Sequence, residues 1–144
     1  MVTVRQVAAA DTTDLRRRVL RGGRPVALPG DDDPTAFHVG AFDDDRLVGT
    51  GNVRREPAPW APDEPAWRLR GMATEEDRRG TGVGERVLAA LVAHCRERGG
   101  GELWCNARTP ARSFYRRAGF TEVGEEWVDP EIGPHVRMRL DLGS

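Results

Sequence analysis

A chain of 144 residues, 38% hydrophobic and 31% charged, is long enough to bury a core as one domain without staples, and it composes as a soluble globular protein. Its net charge of −1 supplies no global field for nucleic acid or a membrane surface, and no apolar run approaches the ~20 residues that span a bilayer. Two cysteines, Cys95 and Cys105, make no disulfide framework, and Met1 to Arg5 lacks the regions of a signal peptide, so a reduced, cytoplasmic setting is expected.

Val2 and Val4, with Val7 beyond them, alternate with polar residues and predict a first strand over 2–7. Asp11 or Thr12 can cap a helix that turns Leu15, Val19 and Leu20 inward and Arg16, Arg17, Arg18 and Arg21 mostly outward, ending at Gly22-Gly23. That arginine face reads first as solvated, and second as a contact for an acidic substrate or partner. A loop rich in proline and aspartate follows over 24–35. Strands over 36–42 and 46–55 flank Asp43-Asp44-Asp45, a hairpin turn by composition, and so pair antiparallel. The acidic triplets at 31–33 and 43–45 are turn chemistry before they are an attraction for a cationic amine. Prolines at 57, 59, 62 and 65 forbid regular structure there, and Trp60 among them either lines a substrate site or covers a core edge.

A strand over 67–74 leads into Asp77-Arg78-Arg79-Gly80-Thr81-Gly82-Val83-Gly84 and then a helix over 82–98. The helix places Val83, Val87, Leu88, Leu91, Val92 and Cys95 on one 3.6-period face. Glycines let backbone N–H groups approach a ligand, and a helix N-terminus leaves its first N–H groups unpaired with partial positive charge. Together they predict an anion site, phosphate being the usual anion; the plainer alternative is a tight turn with glycines for packing only. A P-loop needs lysine, and all 22 basic residues are arginine, a coding bias of the kind a GC-rich bacterial genome imposes. The dinucleotide fingerprint fails because Gly80, Gly82 and Gly84 have the wrong last spacing. Further on, Gly99-Gly100-Gly101 ends the helix and a strand runs over 103–107. Pro110 suits the first turn of a helix that reaches Ala118, and strands over 121–128 and 135–142 close the chain.

Arg79-x-x-Gly82-x-Gly84 resembles the pyrophosphate-binding motif of the GCN5-related N-acetyltransferase (GNAT) superfamily, whose members bind acetyl-CoA. Ala111-Arg112-Ser113-Phe114-Tyr115-Arg116-Arg117-Ala118-Gly119-Phe120 is similar to a second hallmark, Ala-x-x-Phe-Tyr-x-x-x-Gly-Phe, and follows the first in the family's order. Asn106-Ala107 and Gly133-Pro134-His135 resemble a bacterial branch of the superfamily. The resemblance covers the chain from residue 67 onward; the first 60 residues match only in strand–helix–strand order.

The resemblance implies an α+β (mixed α/β) fold over a single N-acetyltransferase domain, 1–144. A central mixed, mostly antiparallel sheet of six or seven strands is expected, splayed between 67–74 and 103–107, with helices on both faces. Acyl-CoA would enter the splay, pairing its pantetheine with the backbone of Met72, Ala73 and Thr74. Amides from Arg79 through Gly80, Thr81, Gly82 and Val83 to Gly84 would hold the pyrophosphate, and Asn106, Ser113 and Tyr115 would complete the cofactor contacts. Tyr115, the one tyrosine, stands at the family's acid position, where it would give a proton to the leaving thiolate.

The chain also departs from the family. The bulged strand carries Arg68 and Arg70 where many members have a glutamate base, so His135 is the first candidate base, followed by Glu131, Glu126 or water. Arg108 replaces a common asparagine seven residues before the tyrosine. His38 and His94 are weaker candidates, and Cys105 is a small core residue before it is an acyl-enzyme nucleophile. The implied activity is acetyl transfer from acetyl-CoA to a primary amine of a small molecule or peptide by direct attack, with no metal, nucleic acid or membrane. A homodimer is left open. The rivals are a non-catalytic acyl-CoA-binding module and an interaction protein that uses the 16–24 face and binds no nucleotide.

Overall fold

The computed structural model describes residues 1–23 and 30–143, so part of the predicted 24–35 loop, and Arg24 of the arginine face, lie outside the described residues. Seven strands form one sheet: β1 (Val2–Val7), β2 (Phe37–Asp43), β3 (Arg46–Arg55), β4 (Ala66–Thr74), β5 (Gly101–Arg108), β6 (Thr121–Asp129) and β7 (Gly133–Gly143). The helices are α1 (Thr13–Arg21), α2 (Val83–Glu97) and α3 (Arg112–Arg117). The strand order is β1-β2-β3-β4-β5-β7-β6, and only β4 and β5 run parallel. This is the α+β mixed, mostly antiparallel sheet that the resemblance implies.

The predicted apolar stripe of α2 is the core. Val83, Val87, Leu88, Leu91, Val92 and Cys95 are all buried, against Val39 and Ala41 of β2, Val53 of β3 and Trp67 and Leu69 of β4. Burying each large side chain is worth roughly 1.5–3 kcal/mol, which is why this short amphipathic segment holds its helix. The sheet carries helices on both faces. A Cβ on Gly51 would point at Leu91 and Val87 of α2, whereas Asn52, the next residue, faces Arg16 of α1 across Gly71.

Several boundaries move. β5 begins at Gly101 rather than 103, because pairing with β7, Glu102 opposite Asp141, draws in residues that composition assigns to a turn. A 3₁₀ turn, Thr109–Ala111, takes the residues around Pro110 and leaves α3 only six residues. Arg16 is corrected most: it points inward, 5% exposed, with Nη1 donating to Asp31 Oδ2 at 2.8 Å. Trp60 covers a core edge. Its Nε1 donates to Glu102 at 3.0 Å, and it packs edge-to-face on Trp104 over Ala58 and Ala66.

Two irregularities of β4 shape the site. Thr50 lies opposite Ala73 but Asn52 lies opposite Arg70, so two residues, Gly71 and Met72, oppose the single Gly51. Gly71 takes φ +65°, the left-handed conformation that a side chain resists. On its other edge β4 pairs with β5 only from Ala66 to Arg68. Beyond Arg68 the two parallel strands diverge and leave an open cleft.

Candidate active site

The glycine-rich turn sits at the mouth of that cleft. Gly82 is the N-cap of α2 with φ +87°, and Gly80 has φ +75°. A Cβ at either would meet nothing within 4 Å, so conformation rather than crowding requires glycine there. Gly84 differs: a Cβ would come within 3.3 Å of Phe114 Cε1, so its role is to let α3 lie close to the first turn of α2. Among the described residues no carbonyl accepts from the amides of Gly80 to Glu85. These N–H groups border a cavity of about 340 Å³ lined by Thr74, Arg79, Gly82, Phe114 and Arg117. Arg78 is tied to Asp43, whereas Arg79 and Arg117 make no ion pair among the described residues. Bare amides, a helix N-terminus and two uncommitted guanidiniums make a fitting cradle for a diphosphate.

A second cavity, about 580 Å³, shares Thr74, Arg79, Gly84 and Phe114 with the first and continues along Met72 and Ala73 to Tyr115. A third, about 360 Å³, shares Met72 and Tyr115 with the second and runs on between β4 and β5 to Trp127 and His135. The three form one path from the glycine turn to the far end of the cleft, with the tyrosine where the last two meet.

Tyr115 is 7% exposed, and its hydroxyl makes no hydrogen bond among the described residues, unlike a tyrosine anchored to backbone. Burial, assisted by Cys105 nearby, pushes its phenol well above the ordinary range, so the proton stays on it. The Cys105 thiol, in the same cleft, is pushed up to about 12 by burial, and a buried protonated thiol is a core residue, not a nucleophile. His135, buried, stacks on Trp127 at 5.6 Å between ring centroids. Its Nδ1 lies 2.9 Å from the Gly133 carbonyl. A donor is needed there, which assigns the hydrogen to Nδ1 and leaves Nε2 as the basic nitrogen.

Of the other base candidates, Glu126 accepts from Thr109 and Glu131 faces Arg21 at 3.6 Å; both are exposed and line none of the three cavities. His38 is buried away from the cleft, and His94 stacks on Phe37. Met72, Ala73, Thr74, Arg79, Gly80, Gly82, Val83, Gly84, Asn106, Tyr115 and His135 all line the path. Thr81 is exposed with its hydroxyl turned onto the Arg78 carbonyl, and Ser113 is exposed outside all three cavities. Sequence reasoning missed Arg117, Phe114 and Trp127 as lining residues. The first two were within reach, since they flank Tyr115 in the second motif. Trp127 was not, because a register shift within β6–β7 decides which β6 residues face the cleft.

Residues 29–142 match the family model described as the acetyltransferase (GNAT) domain. The chain is 31% identical, over 99% of its length and 97% of the relative's, to the uncharacterised N-acetyltransferase YitI of Bacillus subtilis strain 168. Among solved structures it superposes on the ribosomal-protein-S18-alanine N-acetyltransferase of Escherichia coli with a TM-score of 0.77, at 15% identity and covering 100% of this chain and 96% of that one. It also superposes on an aminoglycoside 6'-N-acetyltransferase complexed with coenzyme A, with a TM-score of 0.73, 17% identity and coverage of 99% and 98%.

Proposed function

The chain belongs to the GNAT acetyltransferase family and is an acyltransferase, and from that premise we propose that, as a single domain, it moves an acetyl group from acetyl-CoA to a primary amine of a small molecule or peptide, without a metal. The observation that carries this is the position of Tyr115 at the junction of the cavity that begins at the glycine turn and the cavity that ends at His135.

When bound, acetyl-CoA supplies a thioester carbon for the amine to attack and a sulfur that leaves as thiolate. The amides of residues 80–84 hold the diphosphate, that of Arg79 being taken by the Glu76 carbonyl, and the Arg79 and Arg117 guanidiniums add charge beside it. The open edge of β4 at Met72, Ala73 and Thr74 accepts the pantetheine as an added strand. His135 Nε2 takes the proton that the amine loses, and the Tyr115 hydroxyl gives its own to the departing sulfur. In water a phenol is a weak acid for that task. Burial in this cleft makes a leaving thiolate a stronger base, as it does the Cys105 thiol, and it also holds the Tyr115 proton more tightly, so the transfer depends on the sulfur lying within hydrogen-bonding reach of the hydroxyl.

A panel of primary amines assayed for release of free coenzyme A tests the reading, alongside a thermal-shift titration with acetyl-CoA. Saturable stabilisation and amine-dependent release are expected; at 100 times its Kd the ligand adds about 2.7 kcal/mol. Stabilisation without release from any amine would favour the non-catalytic acyl-CoA-binding module, and no stabilisation would favour the interaction protein.

A further inference from the structure

The face of the sheet under α1 is rich in guanidinium and poor in carboxylate. His38, Asn52 and Arg70 lie side by side across β2, β3 and β4, with Arg54 and Arg68 one pleat away on the same face. Arg16 reaches in from α1 above Gly71. Four arginines therefore share this layer, and among the described residues its carboxylates are Asp31, which pairs with Arg16 and also faces His38, and Glu56, shared by Arg54 and Arg68. Arg68 and Arg70 project from the layer into the wall of the His135 cavity, where Arg108 joins them from β5. Among the described residues the one carboxylate lining that cavity is Asp129, whose Oδ1 accepts from the amides of Glu131 and Ile132.

In this layer Arg16 Nε, Arg68 Nε, Asn52 Nδ2 and both ring nitrogens of His38 are buried without a hydrogen-bond partner among the described residues. A buried donor left unpaired costs about 1–3 kcal/mol, and of these residues Arg68 also lines the His135 cavity, where an acceptor can arrive with a ligand. Burial and the repulsion of Arg68, Arg54 and Arg16 hold the Arg70 pKa below its ordinary value, and an arriving anion relieves both. A guanidinium fork matches a carboxylate in geometry as well as charge.

We propose that the acceptor is a small amine that also carries a carboxylate, a free amino acid in class, whose carboxylate is bound by Arg68 and Arg70 while its amine lies between His135 and Tyr115. The proposal rests on the acetyltransferase reading above and narrows it. The amine nitrogen bonds to the acetyl carbon, the carbon–sulfur bond breaks, the amine proton leaves through His135, and free coenzyme A and an N-acetyl amino acid result. The same charge disfavours polyamines and other polycations.

The test uses the wild-type full chain and matched acceptors: the common amino acids, their methyl esters, and the amines that lack the carboxyl group. The free acid of an accepted pair is expected to exceed its ester in kcat/KM by about tenfold or more, the worth of a charge-assisted hydrogen bond. Calorimetric titration into protein loaded with coenzyme A should give saturable heat with the acid and little with the ester. Arg70→Gln and Arg68→Gln should each bring the acid-to-ester ratio toward one, by raising KM more than they lower kcat. Esters or decarboxylated amines used as well as the acids would overturn the proposal and leave acetyl transfer standing. No release from any amine, with acetyl-CoA still bound, would overturn both.

Discussion

The two ends of the cleft recognise their ligands with different materials. At the mouth, the glycine turn offers main-chain amides, with the guanidiniums of Arg79 and Arg117 beside them. At the far end, Arg68, Arg70, Arg108, Trp127 and His135 come from four strands and act through their side chains. The mouth is therefore set by local chain geometry and suits a ligand common to a whole family. The far end is set by tertiary packing and can change acceptor without disturbing the fold.

Tyr115 joins the two ends, and its loss should have the largest effect. Tyr115→Phe keeps the ring packed against Phe114 and Phe120 and removes only the hydroxyl. We expect kcat to fall about 10²- to 10⁴-fold while acetyl-CoA affinity stays near wild type. Steady-state kinetics and calorimetry check this together, and equal loss of rate and affinity would assign Tyr115 to binding alone. At the acceptor end, Asp31→Asn leaves Arg16 buried without its counter-charge. Urea unfolding should register a loss of up to about 3 kcal/mol, larger than any effect on acetyl-CoA binding.

That contrast also explains what the sequence revealed. The α2 stripe, the glycine turn and the Tyr115 motif are local patterns, and each appears where its spacing predicts. The mixed, mostly antiparallel sheet of six or seven strands and its splay between β4 and β5 are expected through the family resemblance rather than through periodicity. Arg16 was misplaced because helical periodicity shows which face is polar but not that Asp31 would cross over to cover it. Ser113 was included through its place in a motif, yet its backbone position turns it to solvent. The arginine layer has no signature in the sequence, because its members are scattered over α1, β3 and β4 and meet only when the sheet forms.

At the nucleotide end, Gly82→Val forces a branched side chain into φ +87° at the N-cap of α2. About 1–3 kcal/mol of strain is expected, read as a weaker acetyl-CoA Kd with acceptor KM little changed. A similar rise in both constants would mean that the two ends are not separate.

The smallest effect is one of pH. Burial lowers the pKa of His38 and of His94 below 6.5, so the folded state binds these protons less readily than the unfolded chain does. Their contribution is fully present above pH 6.5 and is lost as pH falls through the lower folded values. Urea midpoints measured on either side of pH 6.5 should fall on acidification, and less so in His38→Gln. Since His38 belongs to the arginine layer, the same series should leave acetyl-CoA affinity unmoved.

A crystal structure of the protein with coenzyme A tests the central claim most directly. The account predicts the diphosphate on the amides of residues 80–84, the pantetheine along Met72 to Thr74, and the sulfur within hydrogen-bonding reach of the Tyr115 hydroxyl. A diphosphate bound elsewhere, or a sulfur turned away from Tyr115, would contradict it.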